Sequence, residues 1–200
     1  MKEMWDQRYA GEEYVYGTLP NLFFKEKIEG ISPGKLILPA EGEGRNAVFA
    51  AGLGWQVTAV DFSEEAKKKA LKLAVQNGVA LKYTVEDFTK MDFGNGLYDA
   101  AGLIYAHISP DHRQEVHRRI TGSLKPGGYL ILEAFNKGQI NNSSGGPKSL
   151  EMLYSINMLQ DDFKDLDIQL LEEINVVLDQ GGFHQGDAAI IRLYGQKRKN

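Results

Sequence analysis

Short apolar runs alternate along the chain with longer segments in which apolar residues recur at helical spacing. Buried strands of a parallel sheet are apolar throughout, so the short runs are predicted to be strands of this kind. The first is Leu36–Leu38, which follows the turn Ser32-Pro33-Gly34. Further strands are predicted at 56–60, 80–84, 100–105 and 129–133, and helices at 45–53, 63–77, 109–124 and near 150–159.

The last part of the chain follows a different pattern. Two apolar segments, Ile168–Leu178 and Ala188–Tyr194, flank the turn-forming residues 179–182, which predicts a hairpin. Five β/α units followed by a hairpin favour the α/β class. We expect a doubly wound, Rossmann-like, mostly parallel seven-stranded sheet with an antiparallel C-terminal strand and helices on both faces. A length of 200 residues suits a single domain of this type.

Composition and charge narrow the functional classes. The chain has no cysteine, which excludes disulfides, cysteine-ligated metals and cysteine nucleophiles. The net charge of -4 and the short basic runs disfavour a nucleic-acid partner. No stretch approaches the roughly 20 apolar residues of a membrane helix, and the first residues lack an apolar signal-peptide core. We therefore expect a cytoplasmic protein with a small-molecule partner, no membrane partner and no metal site.

The strongest local signal lies just after the first predicted strand. Ligands of doubly wound sheets bind beyond the carboxyl ends of the strands. There, Ala40–Ala47 reads A-E-G-E-G-R-N-A, and its glycines would let a ligand approach the backbone at a helix N-terminus. Asp61 follows Gly44 by 17 residues, at a strand end where a carboxylate can accept both ribose hydroxyls. The combination predicts a cofactor that contains adenosine, with a tight turn and a helix-capping Asp61 as the alternative.

The same loop also fits a dinucleotide fingerprint. Gly42, Gly44 and Ala47 have the G-x-G-x-x-A spacing, so an NAD-binding oxidoreductase is a second interpretation. However, little of the chain remains for a second half-sheet and a catalytic domain. The antiparallel finish is also unusual for a dinucleotide-binding half, so an NAD enzyme is the less favoured interpretation.

Four segments together carry a resemblance to a known family. They are Gly42–Asn46, Val57–Ser63, Glu86-Asp87-Phe88 and Leu124–Gly128, and they are similar to motifs of class I S-adenosylmethionine-dependent methyltransferases. The similarity extends from Trp5 to Tyr194. Within the class, the opening Trp5–Tyr9 and the proline of Leu38-Pro39-Ala40 resemble the thiopurine and tellurite-resistance methyltransferases.

The resemblance implies a function, a cofactor and a set of contacts. It implies direct transfer of a methyl group from S-adenosyl-L-methionine to a small molecule, with a soft sulfur, selenium or tellurium nucleophile as one option. Residues 1–30 are then an N-terminal cover over the cofactor, with Tyr16 also facing the substrate, and residues 31–200 are the Rossmann-like core. The expected cofactor contacts are Trp5, Tyr9 and Tyr16 in the cover, Ala40, Glu41, Gly42 and Gly44 in the loop, Asp61 and Phe62 at the ribose and next to it, Asp87 and Phe88 at the adenine, and Tyr105 after the fourth strand.

Some positions depart from the family pattern. Leu38 stands where many members have an acidic residue, and Ala40 stands where they have glycine, so Glu41 is the candidate for the missing carboxylate. The arginine that thiopurine-type enzymes carry after the fourth strand is replaced by 103–105, Leu-Ile-Tyr, which argues against thiopurine specificity. These departures keep open a protein that binds the cofactor without catalysis.

The histidines are the candidate bases, and a base is needed only where the acceptor must lose a proton. His107 lies just past the fourth strand and is the predicted catalytic base, with a hydrogen bond to the loop backbone as the alternative. His184 also falls at the site edge, and an exposed turn position is its alternative. His112 and His117 are expected on the outer surface of a helix.

Overall fold

The computed structural model describes residues 2–199. Over this part of the chain the helices are α1 (Lys2–Tyr9), α2 (Leu22–Glu29), α3 (Arg45–Gly52), α4 (Glu64–Gln76), α5 (Pro110–Ser123) and α6 (Ile156–Asp162). The strands are β1 (Lys35–Pro39), β2 (Gln56–Asp61), β3 (Lys82–Val85), β4 (Tyr98–Ile104), β5 (Leu124–Phe135), β6 (Leu166–Asp179) and β7 (Gln185–Lys197). Two 3₁₀ turns, Lys137–Asn141 and Leu150–Met152, lie between β5 and α6. Within residues 2–199, none of the helices is both long and apolar enough to span a membrane.

The strands form one seven-stranded sheet in the order β3-β2-β1-β4-β5-β7-β6. The first five strands are parallel to their neighbours, whereas β7 runs antiparallel to both β5 and β6. The predicted fold class is therefore confirmed. From β1, the chain adds β2 and β3 on one side and then β4 and β5 on the other. Sheets of α/β proteins bind ligands in the crevice at such a switch point, here between β1 and β4.

Buried side chains cover both faces of the sheet. Alternate residues of β1 point in opposite directions, so Ile37 joins one apolar layer while Leu36 and Leu38 join the other. The layer of Ile37 includes residues of α5 and α6, and the opposite layer includes residues of α2, α3 and α4. Helices therefore pack on both faces and hold the carboxyl ends of the strands at one common edge.

Two predicted element boundaries are wrong. The strand predicted at 129–133 is longer than expected, because β5 begins at Leu124, directly after α5, with an irregular register against β4 at Tyr98. The helix expected near 150–159 is divided, because Tyr154 is extended and pairs with Asn136 as an isolated bridge. A 3₁₀ turn precedes Tyr154, and α6 follows it.

The expectation that His117 lies on the surface is also wrong. Its ring is fully buried and stacks on Phe163 at 4.6 Å between ring centres. Its Nδ1 lies 2.8 Å from Asp162, which also binds Arg113 at 2.7 Å. Asp162 of α6 binds one nitrogen of this polar residue on the inner stripe of α5, while Nε2 has no partner among the described residues, so His117 is part of the core.

Candidate active site

The loop after β1 turns sharply into α3. Ala40, Gly42 and Gly44 all have positive φ angles, of 56°, 60° and 87°. A Cβ atom on Gly44 would lie 2.6 Å from the Cβ of Ala70 on α4, whereas one on Gly42 would face the Tyr9 hydroxyl at 2.9 Å. Gly44 therefore allows α3 and α4 to pack closely, and Gly42 leaves the loop backbone open toward the N-terminal cover.

Asp61, the last residue of β2, binds the backbone of this loop through its carboxylate. Its Oδ2 accepts a hydrogen bond from the Gly42 amide at 2.9 Å, and its Oδ1 accepts one from the Ser63 amide at 3.1 Å. Burial raises the pKa of Asp61 to about 6, against the opposing effect of these bonds. Each carboxylate oxygen keeps a further lone pair, so Asp61 can still accept the two hydroxyls of a ribose. The loop backbone and this carboxylate together fit a nucleoside.

Glu41 points into the start of α3. Its Oε1 accepts a hydrogen bond from the Ala47 amide at 2.7 Å, and Asn46 lies at 3.5 Å from its Oε2. Burial raises the pKa of Glu41 to about 7. The carboxylate therefore satisfies a free amide in the first turn of the helix. A cofactor contact of Glu41 stays a prediction.

A buried polar network connects α3 to the β5 and β7 side of the site. The Asn21 amide donates to Asn46 at 2.9 Å, and the Asn21 side chain donates to Glu133 at 2.5 Å. Glu133 also accepts hydrogen bonds from Tyr105 at 3.0 Å and from Arg192 at 2.7 Å. Sequence reasoning missed Asn21, although its type and its place just before α2 are an N-cap signal.

The residues predicted at the adenine lie next to Asp61. The Glu86 amide donates to the Asp61 carbonyl at 2.9 Å, which holds the loop after β3 against the end of β2. The rings of Phe62 and Phe88 are 5.1 Å apart, with Phe88 buried. Asp87 accepts from the Thr89 amide at 3.0 Å; although partial burial opposes it, this bonding holds the pKa of Asp87 below its usual value. The structure thus brings these residues next to Asp61, and their contact with an adenine stays a prediction.

The first part of the N-terminal cover rests on the glycine loop. Trp5 and Tyr9 stack with ring centres 5.5 Å apart, and Tyr9 is only 5% exposed. The Ser63 hydroxyl donates to Asp6 at 2.6 Å, which fixes α1 at the beginning of α4. The space in front of Gly42 is thus filled by the cover itself.

The second part of the cover is held by Glu43, whose role sequence reasoning also missed. Its Oε2 accepts from the Val15 amide at 2.8 Å, and its Oε1 pairs with Lys69 at 2.5 Å. Lys69 also donates to the carbonyls of Gly11 and Glu13, at 3.0 and 2.5 Å. Residues 11–15 are therefore anchored to the glycine loop and to α4 by one buried ion pair.

Aromatic rings converge at the ends of β4, β5 and β7. The ring of His184 lies 4.5 Å from those of both Tyr16 and Tyr105 and 5.4 Å from that of Phe135. We call these four residues the aromatic box. Tyr105 has a positive φ of 53°, which turns the chain at the end of β4. The exposed turn position considered for His184 is wrong, because its side chain is buried with 5% exposure.

His107 lies behind the aromatic box with both ring nitrogens engaged. Nδ1 is 2.7 Å from the Met152 carbonyl, to which it must donate, and Nε2 accepts from the Phe135 amide at 3.2 Å. Burial lowers the pKa of His107 to about 4. This geometry matches the alternative role, a hydrogen bond to the loop backbone. The general-base role of His107 stays a prediction.

An open groove of about 480 Å³ lies apart from the glycine loop, between the first 3₁₀ turn and the β6–β7 ladder. Its lining includes Gly138, Asn142 and Asp187, and it brings together none of the predicted site residues. A ligand at the glycine loop would instead occupy space now taken by Tyr9, so its entry requires the cover to move.

Comparison with known proteins places this geometry in a class. Residues 40–128 match a family model described as a methyltransferase domain. No curated protein sequence matches the chain significantly. The matched segment contains the glycine loop, Asp61 and Asp87.

Solved structures show the same fold over nearly the whole chain. One, described as "Conversion of a Disulfide Bond into a Thioacetal Group during Echinomycin Biosynthesis", is similar with a TM-score of 0.79, 19% identity, and coverage of 100% of this chain and 93% of that one. TehB from Haemophilus influenzae is similar with a TM-score of 0.75, 15% identity, and coverage of 98% and 67%.

A third structure is a 1,6-didemethyltoxoflavin-N1-methyltransferase from Burkholderia thailandensis with bound 1,6-didemethyltoxoflavin and S-adenosylhomocysteine. It is similar with a TM-score of 0.64, 17% identity, and coverage of 88% of this chain and 79% of that one. These structures share the fold of this chain, and residues 40–128 match a methyltransferase-domain model, as the resemblance to S-adenosylmethionine-dependent methyltransferases predicted.

Proposed function

We propose that the protein transfers the methyl group of S-adenosyl-L-methionine to a small-molecule acceptor. One observation carries the proposal: the buried Asp61 carboxylate is bonded to the Gly42 amide within a segment that matches a methyltransferase domain. A candidate ribose acceptor and the glycine-loop backbone thus lie side by side at the carboxyl ends of β2 and β1.

The proposal distributes the parts of the cofactor along the strand ends. Asp61 holds the ribose from the end of β2. The adenine lies on one side of the ribose, next to Phe62, Asp87 and Phe88 at the ends of β2 and β3. The methionine part lies on the other side, along the loop Ala40–Gly44, where Glu41 is a further candidate contact. Trp5 and Tyr9 of the cover close over this arrangement.

The acceptor then belongs on the side of β4, β5 and β7. This side carries the aromatic box, with Tyr16 contributed by the cover and Tyr105 by the end of β4. Aromatic walls of this kind suit a small, planar or soft acceptor. A sulfur, selenium or tellurium nucleophile remains part of the proposal, since an easily polarised acceptor reacts without a strong base.

The cofactor supplies a sulfonium-bound methyl group, and the chain supplies position. A lone pair of the acceptor forms the new bond to the methyl carbon while the carbon–sulfur bond breaks and its electrons return to sulfur. The reacting atoms must be held about 3–3.5 Å apart in line, in a site from which water is excluded. Closure of the cover by α1 and residues 11–15 provides that exclusion.

Turnover of labelled S-adenosylmethionine tests the proposal against a panel of thiol, selenite, tellurite and phenol acceptors. We expect label transfer to at least one of them. Asp61→Asn should raise the KM for the cofactor about tenfold or more, since it weakens hydrogen bonds to a charged acceptor. Asp99→Asn, a change at the opposite edge of the sheet where Asp99 binds Lys125, should leave this KM unchanged.

The other outcomes separate the alternatives. Binding of S-adenosylhomocysteine without turnover of any acceptor would support a non-catalytic cofactor-binding protein, for which the strained Ala40 is the motivating feature. A change in NADH fluorescence on mixing would support a nucleotide oxidoreductase instead.

The role of His107 needs its own variant. His107→Gln keeps one side-chain donor and one acceptor for the Met152 and Phe135 backbone groups. A base role predicts that the variant loses the acid limb of the pH–rate profile, whereas a bracing role predicts an unchanged profile and a lower melting temperature.

A further inference from the structure

Arg45, the first residue of α3, is a buried cation without an ion-pair partner in the described part of the chain. It is 7% exposed, and its Nη1 donates to the Tyr16 carbonyl at 3.0 Å. Burial lowers the pKa of Arg45 and the charges of Glu41 and Glu133 oppose that shift, but neither carboxylate forms an ion pair with it, since Glu41 caps α3 and Glu133 binds Arg192. A buried guanidinium is costly unless a negative charge compensates it.

A second cation reaches the same tyrosine. Arg8 donates to the Tyr16 hydroxyl at 3.1 Å, and its guanidinium lies 5.1 Å from the centre of the Phe183 ring. Within residues 2–199 it has no carboxylate partner either. Two guanidinium groups therefore bind Tyr16, that of Arg45 at the carbonyl and that of Arg8 at the hydroxyl.

His184 adds an unsatisfied polar atom to this place. Its Nδ1 is buried and has no hydrogen-bond partner among the described residues. Burial, together with a smaller effect of the Arg45 charge, lowers the pKa of His184 to about 3. The ring is therefore neutral and can donate one hydrogen bond and accept another. An unpartnered buried nitrogen next to a buried cation marks a place prepared for a ligand.

Neither histidine at or behind the aromatic box is well suited to remove a proton from an acceptor. His107 uses both ring nitrogens for backbone bonds, and His184 holds a proton weakly. An acceptor that arrives as an anion requires no base. Its lone pair attacks the methyl carbon, the carbon–sulfur bond electrons return to sulfur, and the sulfonium becomes a neutral thioether without any proton leaving.

We propose that the acceptor carries an anionic group, and that Arg45 and His184 bind this group at the aromatic box. The inference rests on the proposed methyl transfer and specifies its acceptor class. The carboxylate of the cofactor is the other source of such an anion, and the test below distinguishes the two.

Benzoate and benzamide are matched probes, because they share shape and differ in charge. Ligand-observed NMR titrations would measure their affinities with and without S-adenosylhomocysteine. We expect benzoate to bind about tenfold or more tightly than benzamide. Arg45→Gln should abolish this preference while its amide still donates to Tyr16. Arg118→Gln, on the exposed face of α5, should keep the preference.

Further variants guard against misfolding. Arg45→Lys restores the charge and should recover part of the preference, and His184→Phe keeps the ring stacking and should weaken benzoate alone. Thermal melts would confirm that each variant folds.

The outcomes separate the two proposals. Equal affinity for benzoate and benzamide, or undetectable binding of both, would overturn the anion site. A loss of S-adenosylhomocysteine affinity in Arg45→Gln would assign Arg45 to the cofactor carboxylate and also overturn it. Failure of the unchanged protein to bind S-adenosylhomocysteine would contradict the methyltransferase proposal, while the benzoate comparison still decides the anion site.

Discussion

The Asp61 carboxylate accepts a hydrogen bond from the Gly42 amide at 2.9 Å. This contact joins the end of β2 to the loop after β1, so that two residues 19 positions apart in the sequence share one surface. It also orients the carboxylate toward the loop, where a ribose would lie. The cofactor site therefore depends on a bond between side chain and backbone that exists before any ligand binds.

Two buried acids should make the fold less stable as the pH rises. Burial raises the pKa of Glu41 to about 7 and that of Asp61 to about 6. The folded protein then holds these protons more tightly than the unfolded chain does, so their contribution to the free energy of unfolding is greatest below the unfolded pKa of about 4 and falls as the pH rises through the folded values.

The variant Glu41→Gln tests this pH dependence. In this variant the free energy of unfolding should decrease less between about pH 5 and pH 8, by on the order of 1–3 kcal/mol. Urea unfolding at several pH values measures this decrease. Glu29→Gln, at an exposed position of α2, is the control and should keep the fall. An identical slope in both variants would refute the account of Glu41.

Gly44 should not tolerate a side chain. A Cβ there meets the Cβ of Ala70 at 2.6 Å, and the φ angle of 87° is unfavourable for alanine. We expect Gly44→Ala to lower the free energy of unfolding by about 2–4 kcal/mol. Gly52→Ala, at the last position of α3 with no atom within 4 Å of its Cβ position, should raise the free energy of unfolding by about 0.5–1 kcal/mol. Equal effects in denaturant titrations would contradict the packing argument.

Asn21 should be among the most sensitive polar residues of the core. Asn21→Ala removes the cap of α2 at the Phe24 amide and leaves Glu133 without one of its donors. The expected loss is about 2–4 kcal/mol in chemical unfolding. Asn77→Ala, which removes a hydrogen bond at the exposed end of α4, should cost less than about 1 kcal/mol. Similar losses at the two positions would argue against the buried network.

The cover should loosen when Glu43 is removed. Glu43→Ala loses both the Val15 hydrogen bond and the Lys69 ion pair. Hydrogen exchange of peptides over residues 10–17 should then be faster by about tenfold or more. Glu65→Ala, which removes an exposed pair with Lys68, should leave exchange there unchanged. S-adenosylhomocysteine should slow the same exchange in the unchanged protein, and a lack of protection would separate this segment from cofactor binding.

The parts of the site that follow from local signals could be predicted. Strand ends, helix starts and the spacing from Gly44 to Asp61 lie within single β/α units, so the sequence contains both the pattern and its geometry. The sheet class followed from the order of such units. The loops that hold the residues predicted at the adenine could likewise be located, because each loop follows directly after a strand.

The remaining features depend on contacts between distant segments. The hairpin tip at Gly181 lies so close to the N-terminal cover that a Cβ there would be 2.5 Å from the Val15 carbonyl. That contact, which nothing in the local sequence indicates, buries His184 against Tyr16. The burial of His117 depends likewise on Asp162, a residue of another helix. The unpaired charge of Arg45 could be recognised only once every nearby carboxylate had a known partner.

Calorimetric titration with S-adenosylhomocysteine tests the central claim most directly. The account predicts saturable binding to the unchanged protein and affinity weaker by about 1–3 kcal/mol in Asp61→Asn, because a charged acceptor for the ribose hydroxyls is lost. Absence of binding at high micromolar ligand, or equal affinity in the two proteins, would contradict a cofactor site at Gly42 and Asp61.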